Sequence, residues 1–110
     1  MTRSRRTVSR DQERRVGKEI GGRAVPGSGS IAALPGDAEN KIFLGELKFT
    51  RGSSISIKMA DLKKIERLAV NRNRRPFFLF EFKGDDFRKG YAWIAFPDWV
   101  AQEIMEKLGP

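Results

Sequence analysis

A short apolar segment that carries two charged side chains offers the most specific chemistry in this sequence. Residues 41–49 read Lys-Ile-Phe-Leu-Gly-Glu-Leu-Lys-Phe, and Asp37 precedes them, directly after a Pro-Gly pair. Successive side chains of a strand alternate between its two faces, so Glu46 and Lys48 point to the same side. The alternate positions are apolar, and we expect them to face a core: Phe43, Leu47 and Phe49.

Two carboxylates and an ammonium group at one strand are costly to hold together unless a cation or a phosphate lies among them. Asp37 and Glu46 can supply oxygen ligands to Mg²⁺, for which Mn²⁺ would substitute. Such an ion acidifies its water and neutralises charge on a phosphodiester. Lys48 would orient that water and stabilise the developing charge. The pattern predicts a magnesium-dependent phosphodiesterase.

A third carboxylate from the first helix would complete the metal shell or position a second ion. Glu13 and Glu19 compete for this role, and their spacing of six residues places them on opposite sides of a helix. Two further Glu-x-Lys pairs occur, at residues 39–41 and 81–83. The first pair lies in a predicted turn, where the direction of the side chains is not fixed. The second pair has no preceding aspartate at a turn that would lie beside Glu81. We therefore place the site at Glu46, with an ordinary cross-strand ion pair as the alternative.

The composition excludes several other kinds of site. The chain has neither cysteine nor histidine, so disulfides, thiolate or imidazole metal sites and histidine-based catalysis are ruled out, and a cytoplasmic setting is favoured. We find no apolar run long enough for a membrane span and no secretory signal. The net charge of +8 and the pI of 10.3 favour a polyanion partner, above all DNA.

Much of the excess positive charge lies near the N-terminus. Residues 1–8 are basic and lack periodicity, so we expect a disordered arm, with the folded domain at residues 9–110. A solubilising tail is the alternative. A second basic group lies on a predicted helix, where its charges also suit the helix dipole. The DNA contacts expected from these two regions are Arg5, Arg6, Arg10, Lys63 and Lys64.

The apolar pattern predicts a single small α/β domain. We expect helices at about 10–20, capped by Ser9, at 58–71 and at 97–108, and strands at 41–49, 76–82 and 91–96. The aromatic side chains of the last two strands could stack on nucleic-acid bases. We favour the core for them, because they lie in continuous apolar segments: Phe77, Phe78, Phe80, Phe82 and Trp93. Trp99 fits either the domain or a subunit interface.

A wider set of residues resembles a known enzyme family. Asp37 with Glu46-x-Lys48 is similar to the PD-(D/E)xK nuclease superfamily. With Gln12-Glu13-Arg14 and the Arg23-x-x-Pro-Gly-Ser-Gly-Ser segment, residues 9–82 resemble phage-encoded and archaeal-type Holliday junction resolvases. Two departures are that Gly36 separates the proline from the aspartate, and that the C-terminal part is short.

The resemblance implies a restriction-endonuclease-like mixed β-sheet flanked by helices. It also implies a homodimer that cuts opposite strands of a four-way DNA junction symmetrically during DNA recombination, in the host cytoplasm if the protein is phage-encoded. By position, it assigns catalysis to Glu13, Asp37, Glu46 and Lys48, with Glu13 as a further metal ligand. It assigns DNA contact or support of the site to Arg14, Arg23 and Ser28 or Ser30.

Two alternatives remain at the level of function. The chain could be a nuclease for flaps, forks or duplex ends, which would use the same residues. It could also be a non-catalytic basic DNA-binding module, in which the acidic residues form structural ion pairs. Magnesium separates the second alternative from the nucleases, because a pure binder yields no product with any divalent ion.

Overall fold

The computed structural model describes residues 4–26, 36–83 and 89–109. Within these ranges the chain forms one mixed sheet with helices packed on it, in strand order β1-β2-β3-β4-β5. Strands β3 and β4 are parallel, and the other neighbours are antiparallel. The elements are α1 (Arg5–Glu19), β1 (Arg23–Ala24), β2 (Ala38–Glu39), β3 (Phe43–Thr50), α2 (Met59–Asn71), β4 (Arg75–Phe82), β5 (Tyr91–Ala95) and α3 (Asp98–Leu108).

Helix α1 begins earlier than the sequence pattern predicts. Ser4, not Ser9, caps it, and the Ser4 hydroxyl accepts a hydrogen bond from the Thr7 N–H at 3.2 Å. Val8 is buried, because it continues the inward stripe of Val16 and Gln12 one further turn toward the N-terminus. The expectation of a disordered arm is therefore wrong for residues 4–8, which belong to the folded domain.

Helix α2 is the crossover between the parallel strands β3 and β4, and it covers one face of the sheet. Ile65 and Ala69 of this helix pack on Leu44 of β3 and Phe78 of β4. The same alternation that turns Leu44 toward α2 turns Glu46 and Lys48 to this face as well. The candidate catalytic residues therefore lie under or beside α2.

Helix α1 covers the opposite face of the sheet. Val16 packs there with Phe77 and Leu79 of β4, and Phe43 and Leu47 of β3 pack against this cluster. Phe49 is also buried. The prediction that these β3 positions face a core, opposite to Glu46 and Lys48, is confirmed.

Strand β5 forms one edge of the sheet and is less covered than expected. Phe77 and Phe78 are buried, as predicted, but Trp93 is 55% exposed. The assignment of Trp93 to the core is wrong, because α2 packs mainly on β3 and β4, and of the β5 residues only Ala95 packs against its cluster on this face. After β5, Pro97 caps α3, and the Trp99 indole N–H donates to a Glu66 carboxylate oxygen at 2.8 Å.

No helix among the described residues is both long enough and apolar enough to cross a membrane.

Candidate active site

The β2–β3 hairpin positions Asp37 beside Glu46. Ala38 of β2 pairs with Gly45 of β3, and the Asp37 N–H donates to the Gly45 carbonyl oxygen at 2.9 Å. The Asp37 Oδ2 atom in turn accepts a hydrogen bond from the Leu47 N–H at 2.9 Å. These two bonds hold the Asp37 carboxylate along the backbone that carries Glu46.

Gly36 allows the chain to enter this hairpin. Its φ of +91° lies in a region that side-chain-bearing residues rarely adopt, and a Cβ atom here would lie 2.7 Å from Leu44 Cδ1. The backbone conformation at Gly36 therefore explains why a glycine stands in the predicted turn before Asp37. Pro35 lies outside the described residues.

The carboxyl groups of Asp37 and Glu46 converge. Burial, the negative charge of Asp37 and a hydrogen bond with Asp37 raise the pKa of Glu46 to about 8. A hydrogen bond between two carboxyl groups needs a proton on one of them, and the raised pKa of Glu46 keeps that proton available. An oxygen-binding cation could take the place of that proton.

Lys48 lies on the same face as Glu46 and lines the same groove. Its Nζ atom donates to the carbonyl oxygen of Ser56, in the segment between β3 and α2. The groove has a volume of about 250 Å³ and is open to solvent. Its lining residues come from β3, α2 and β4: Glu46, Leu47, Lys48, Asp61, Lys64 and Phe78.

Helix α2 contributes two charged residues to this groove. The positive charge of Lys64 lowers the pKa of Glu46, and the negative charge of Asp61 raises it, both by less than burial does. Lys64 was predicted only as a DNA contact, and Asp61 was not predicted as a site residue. The signal was present, because Asp61 precedes the buried Ile65 by four residues and so shares its helical face.

The structure does not bring Glu13 to this groove. Helix α1 covers the face of Phe77, whereas Glu46 points to the α2 face. Among residues 4–26, 36–83 and 89–109, no three Asp, Glu, His or Cys side chains lie close enough to hold a metal ion together. The expectation of a three-carboxylate shell with Glu13 is therefore not met. Glu19 pairs instead with Arg15 and Lys89.

The other two Glu-x-Lys pairs have structural surroundings. Glu39 lies on β2, not in a turn as expected, and it is buried against Arg23 and Arg74. Burial opposes its ionisation, but hydrogen bonds from Arg23 and Arg74 outweigh this and hold the pKa of Glu39 below its ordinary value. Arg23 of β1 and Arg74, which follows α2, therefore both bind Glu39 of β2 and connect these elements.

Glu81 is fully buried under α1. Arg15 Nη2 lies 2.6 Å from its Oε1 atom, Gln12 donates to the same oxygen at 3.2 Å, and the Gly90 N–H donates to Oε2 at 2.6 Å. Burial opposes ionisation, but the Arg15 and Gly90 hydrogen bonds and the charges of Arg15 and Lys83 keep the pKa of Glu81 lowered. This cluster joins α1 to the sheet around a fully buried carboxylate.

The predicted DNA contacts are scattered over several elements. Arg6, Arg10 and Arg14 are exposed on α1, and Lys63 and Lys64 are exposed on α2. Arg5 lies over the Phe49 ring, with its Cζ atom 4.6 Å from the ring centroid. Arg23 is held by Glu39, although its side chain stays 63% exposed. Ser28 and Ser30 lie outside the described residues.

Comparison with protein-family models, with curated proteins and with solved structures finds no match to this chain.

Proposed function

We propose that the protein is a magnesium-dependent DNA endonuclease that resolves four-way junctions by paired, symmetric nicks. The observation that carries this proposal is the convergence of the Asp37 and Glu46 carboxyl groups beside Lys48, on one face of β3. A net charge of +8 supplies the attraction for a polyanionic substrate.

The donor set fits Mg²⁺. Mg²⁺ binds through one or two carboxylates and keeps several of its waters, so two converging acids in an open groove are sufficient ligands. When bound, the ion would acidify a water molecule and neutralise charge on the scissile phosphate. Asp37 and Glu46 would hold it, and the Leu47 N–H would keep the Asp37 carboxylate oriented.

The two lysines of the groove would attract and bind the phosphate. Lys48 would leave the Ser56 carbonyl oxygen and donate to the attacking water or to a phosphate oxygen. Lys64 lies on the opposite wall, on α2, where its charge favours ionisation of Glu46 and approach of a phosphate. Neither role requires a histidine, which the chain lacks.

The preference for four-way junctions rests on the sequence resemblance. The same resemblance supports a homodimer, since a two-fold symmetric enzyme matches a junction whose opposite strands are cut. A nuclease for forks, flaps or duplex ends would use the same groove, so the substrate panel must include these structures.

Labelled four-way junction, fork and linear duplex, each incubated with the protein and Mg²⁺, test the proposal. We expect paired cuts in the junction, loss of cutting with Glu46→Gln and with Lys48→Met, and retained DNA binding by both variants. Glu103→Gln, a change in an exposed ion pair on α3, is the matched control. Equal cutting of all three DNAs would remove the junction preference, and unchanged cutting by Glu46→Gln would remove the assigned site.

A non-catalytic DNA-binding module is the second candidate. The observation in its favour is that, within the described parts of the chain, no three Asp, Glu, His or Cys side chains lie close enough to hold a metal ion together. In that case binding would weaken with salt, and no divalent ion would yield a product.

A further inference from the structure

An aromatic surface continues from the candidate active site to the edge of the sheet. Phe80 of β4 pairs with Lys48 of β3 on one side and with Trp93 of β5 on the other. Paired residues of neighbouring strands point to the same face, so all three side chains lie on the α2 face. Neighbouring strands are about 4.8 Å apart, which places the Trp93 backbone roughly 10 Å from that of Lys48.

The next row of the sheet extends this surface. Phe82 pairs with Thr50 and with Tyr91, again on the α2 face. Tyr91 and Trp93 form an edge-to-face pair whose ring centroids are 6.3 Å apart. Tyr91 is 66% exposed and Trp93 is 55% exposed, so both side chains are accessible to a ligand.

We propose that Tyr91 and Trp93 form a stacking surface for unpaired bases of DNA next to the scissile phosphate. This inference deepens the proposed nuclease function and rests on it for the position of the phosphate at Lys48. Aromatic rings on a basic protein bind bases by stacking, which tolerates any sequence because every base has a π-face.

The geometry favours unpaired bases over duplex DNA. The ring planes of Tyr91 and Trp93 lie at 74° to each other, so two bases stacked on them cannot stay parallel as neighbouring bases do in B-DNA. A duplex keeps its base faces inside the stack, whereas a branch point or a single strand offers them. The occupant that fits this surface is therefore a nucleotide or two of unstacked strand.

Charge favours DNA at this surface. Lys48 lies in the same row of the sheet as Trp93. The net charge of +8 attracts a polyanion. Strand β5 (Tyr91–Ala95) contains no acidic residue that would repel DNA at the two rings.

Tryptophan fluorescence tests this inference without relying on catalysis. The Trp99→Phe variant leaves Trp93 as the single tryptophan. With EDTA present, we expect oligothymidylate to quench its emission and a duplex of equal length to do so much less. Trp93→Leu should weaken single-strand affinity by about 5- to 150-fold, and Trp93→Tyr should retain most of it.

Ile94→Ala is the matched control, because Ile94 is a similarly exposed residue of the same strand that points to the opposite face. Its affinity for the single strand should not change. Equal losses for Trp93→Leu and Ile94→Ala, or no loss for Trp93→Leu, would overturn the inference. A dimer in sedimentation that both variants convert to monomer would also overturn it and assign this edge to self-association.

The outcomes separate this inference from the proposed function. Junction cutting by the wild type, together with unchanged single-strand affinity of Trp93→Leu, would overturn the stacking surface alone. Quenching and loss of affinity without any cutting in Mg²⁺ would support the surface and overturn the nuclease. Circular dichroism and thermal melting of each variant confirm that binding is compared between folded proteins.

Discussion

Replacement of Glu46 by glutamine, studied in EDTA, measures how much the raised pKa of Glu46 lowers the free energy of unfolding at neutral pH. Glutamine has nearly the shape of a protonated glutamate and does not ionise. The pKa of Glu46 is raised to about 8 in the folded protein, from 4.5. As pH rises through this window, the unfolded chain releases the proton first. Wild-type stability therefore falls between pH 4.5 and 8, and Glu46→Gln does not share this loss.

The size of the effect follows from the width of that window. At pH 7 the unfolded chain is 2.5 pH units above the ordinary pKa of 4.5, while folded Glu46 is still mostly protonated. Each unit corresponds to about 1.36 kcal/mol, so the ceiling is about 3.4 kcal/mol. The groove admits water, and Lys64 offsets part of the repulsion from Asp37 and Asp61. We expect about 2 kcal/mol.

Urea unfolding at pH 5, 7 and 9 in EDTA measures this difference. Glu46→Gln should be about as stable as the wild type at pH 5 and more stable at pH 9. Addition of Mg²⁺ should stabilise the wild type by mass action and leave the variant nearly unchanged. Glu103→Gln, in an exposed pair with Arg75, should follow the wild type at every pH and in Mg²⁺.

Parallel pH profiles for the wild type and Glu46→Gln would refute the reasoning, because the two carboxyl groups would then not share a proton. Equal stabilisation of both proteins by Mg²⁺ would show that the ion binds elsewhere. Either result would remove the physical basis of the assigned site.

Three further predictions concern the scaffold around the groove. Glu81→Gln should destabilise the protein by about 3–5 kcal/mol in urea unfolding, because it leaves Arg15 and Lys83 without their buried partner, whereas the exposed Glu19→Gln should cost less than about 1 kcal/mol. Gly36→Ala should cost about 1–3 kcal/mol in the same assay and reduce junction cutting, since φ is +91° and Leu44 occupies the space of a Cβ atom; Gly52→Ala is its control, because a Cβ atom there would make only an ordinary van der Waals contact with Thr50. Val8→Ala should cost about 1–2 kcal/mol in melting experiments, while Arg6→Gln should leave stability unchanged; equal stabilities of Val8→Ala and the wild type would mean that the first turn of α1 does not pack.

Local patterns predicted the elements that carry strong periodicity. Alternation along β3 placed Glu46 and Lys48 on one face, and the packing of Phe43 and Leu47 on the other face confirms it. The spacing of apolar residues located α2 within one residue at its start. The start of α1 was misplaced because Val8 is a single apolar residue among arginines, and its burial depends on the sheet beneath it.

Contacts between distant segments were beyond the reach of these patterns. No local signal states which face of the sheet a helix covers, so residue spacing alone did not tell whether Glu13 lies near Glu46. Asp61 enters the groove only because α2 crosses over β3, and Trp93 is exposed because it lies outside the cluster that α2 forms with the sheet.

By itself, the sequence determined which side chains share a face, since the two-residue period of a strand and the 3.6-residue period of a helix are properties of the local backbone. It also determined the absence of histidine and cysteine and the basic charge. The tertiary structure decided which faces meet. It brought Asp37 against Glu46 through one hairpin, added Asp61 and Lys64 from α2, and kept α1 with Glu13 on the other side of the sheet, because these contacts depend on strand order and packing rather than on residue spacing.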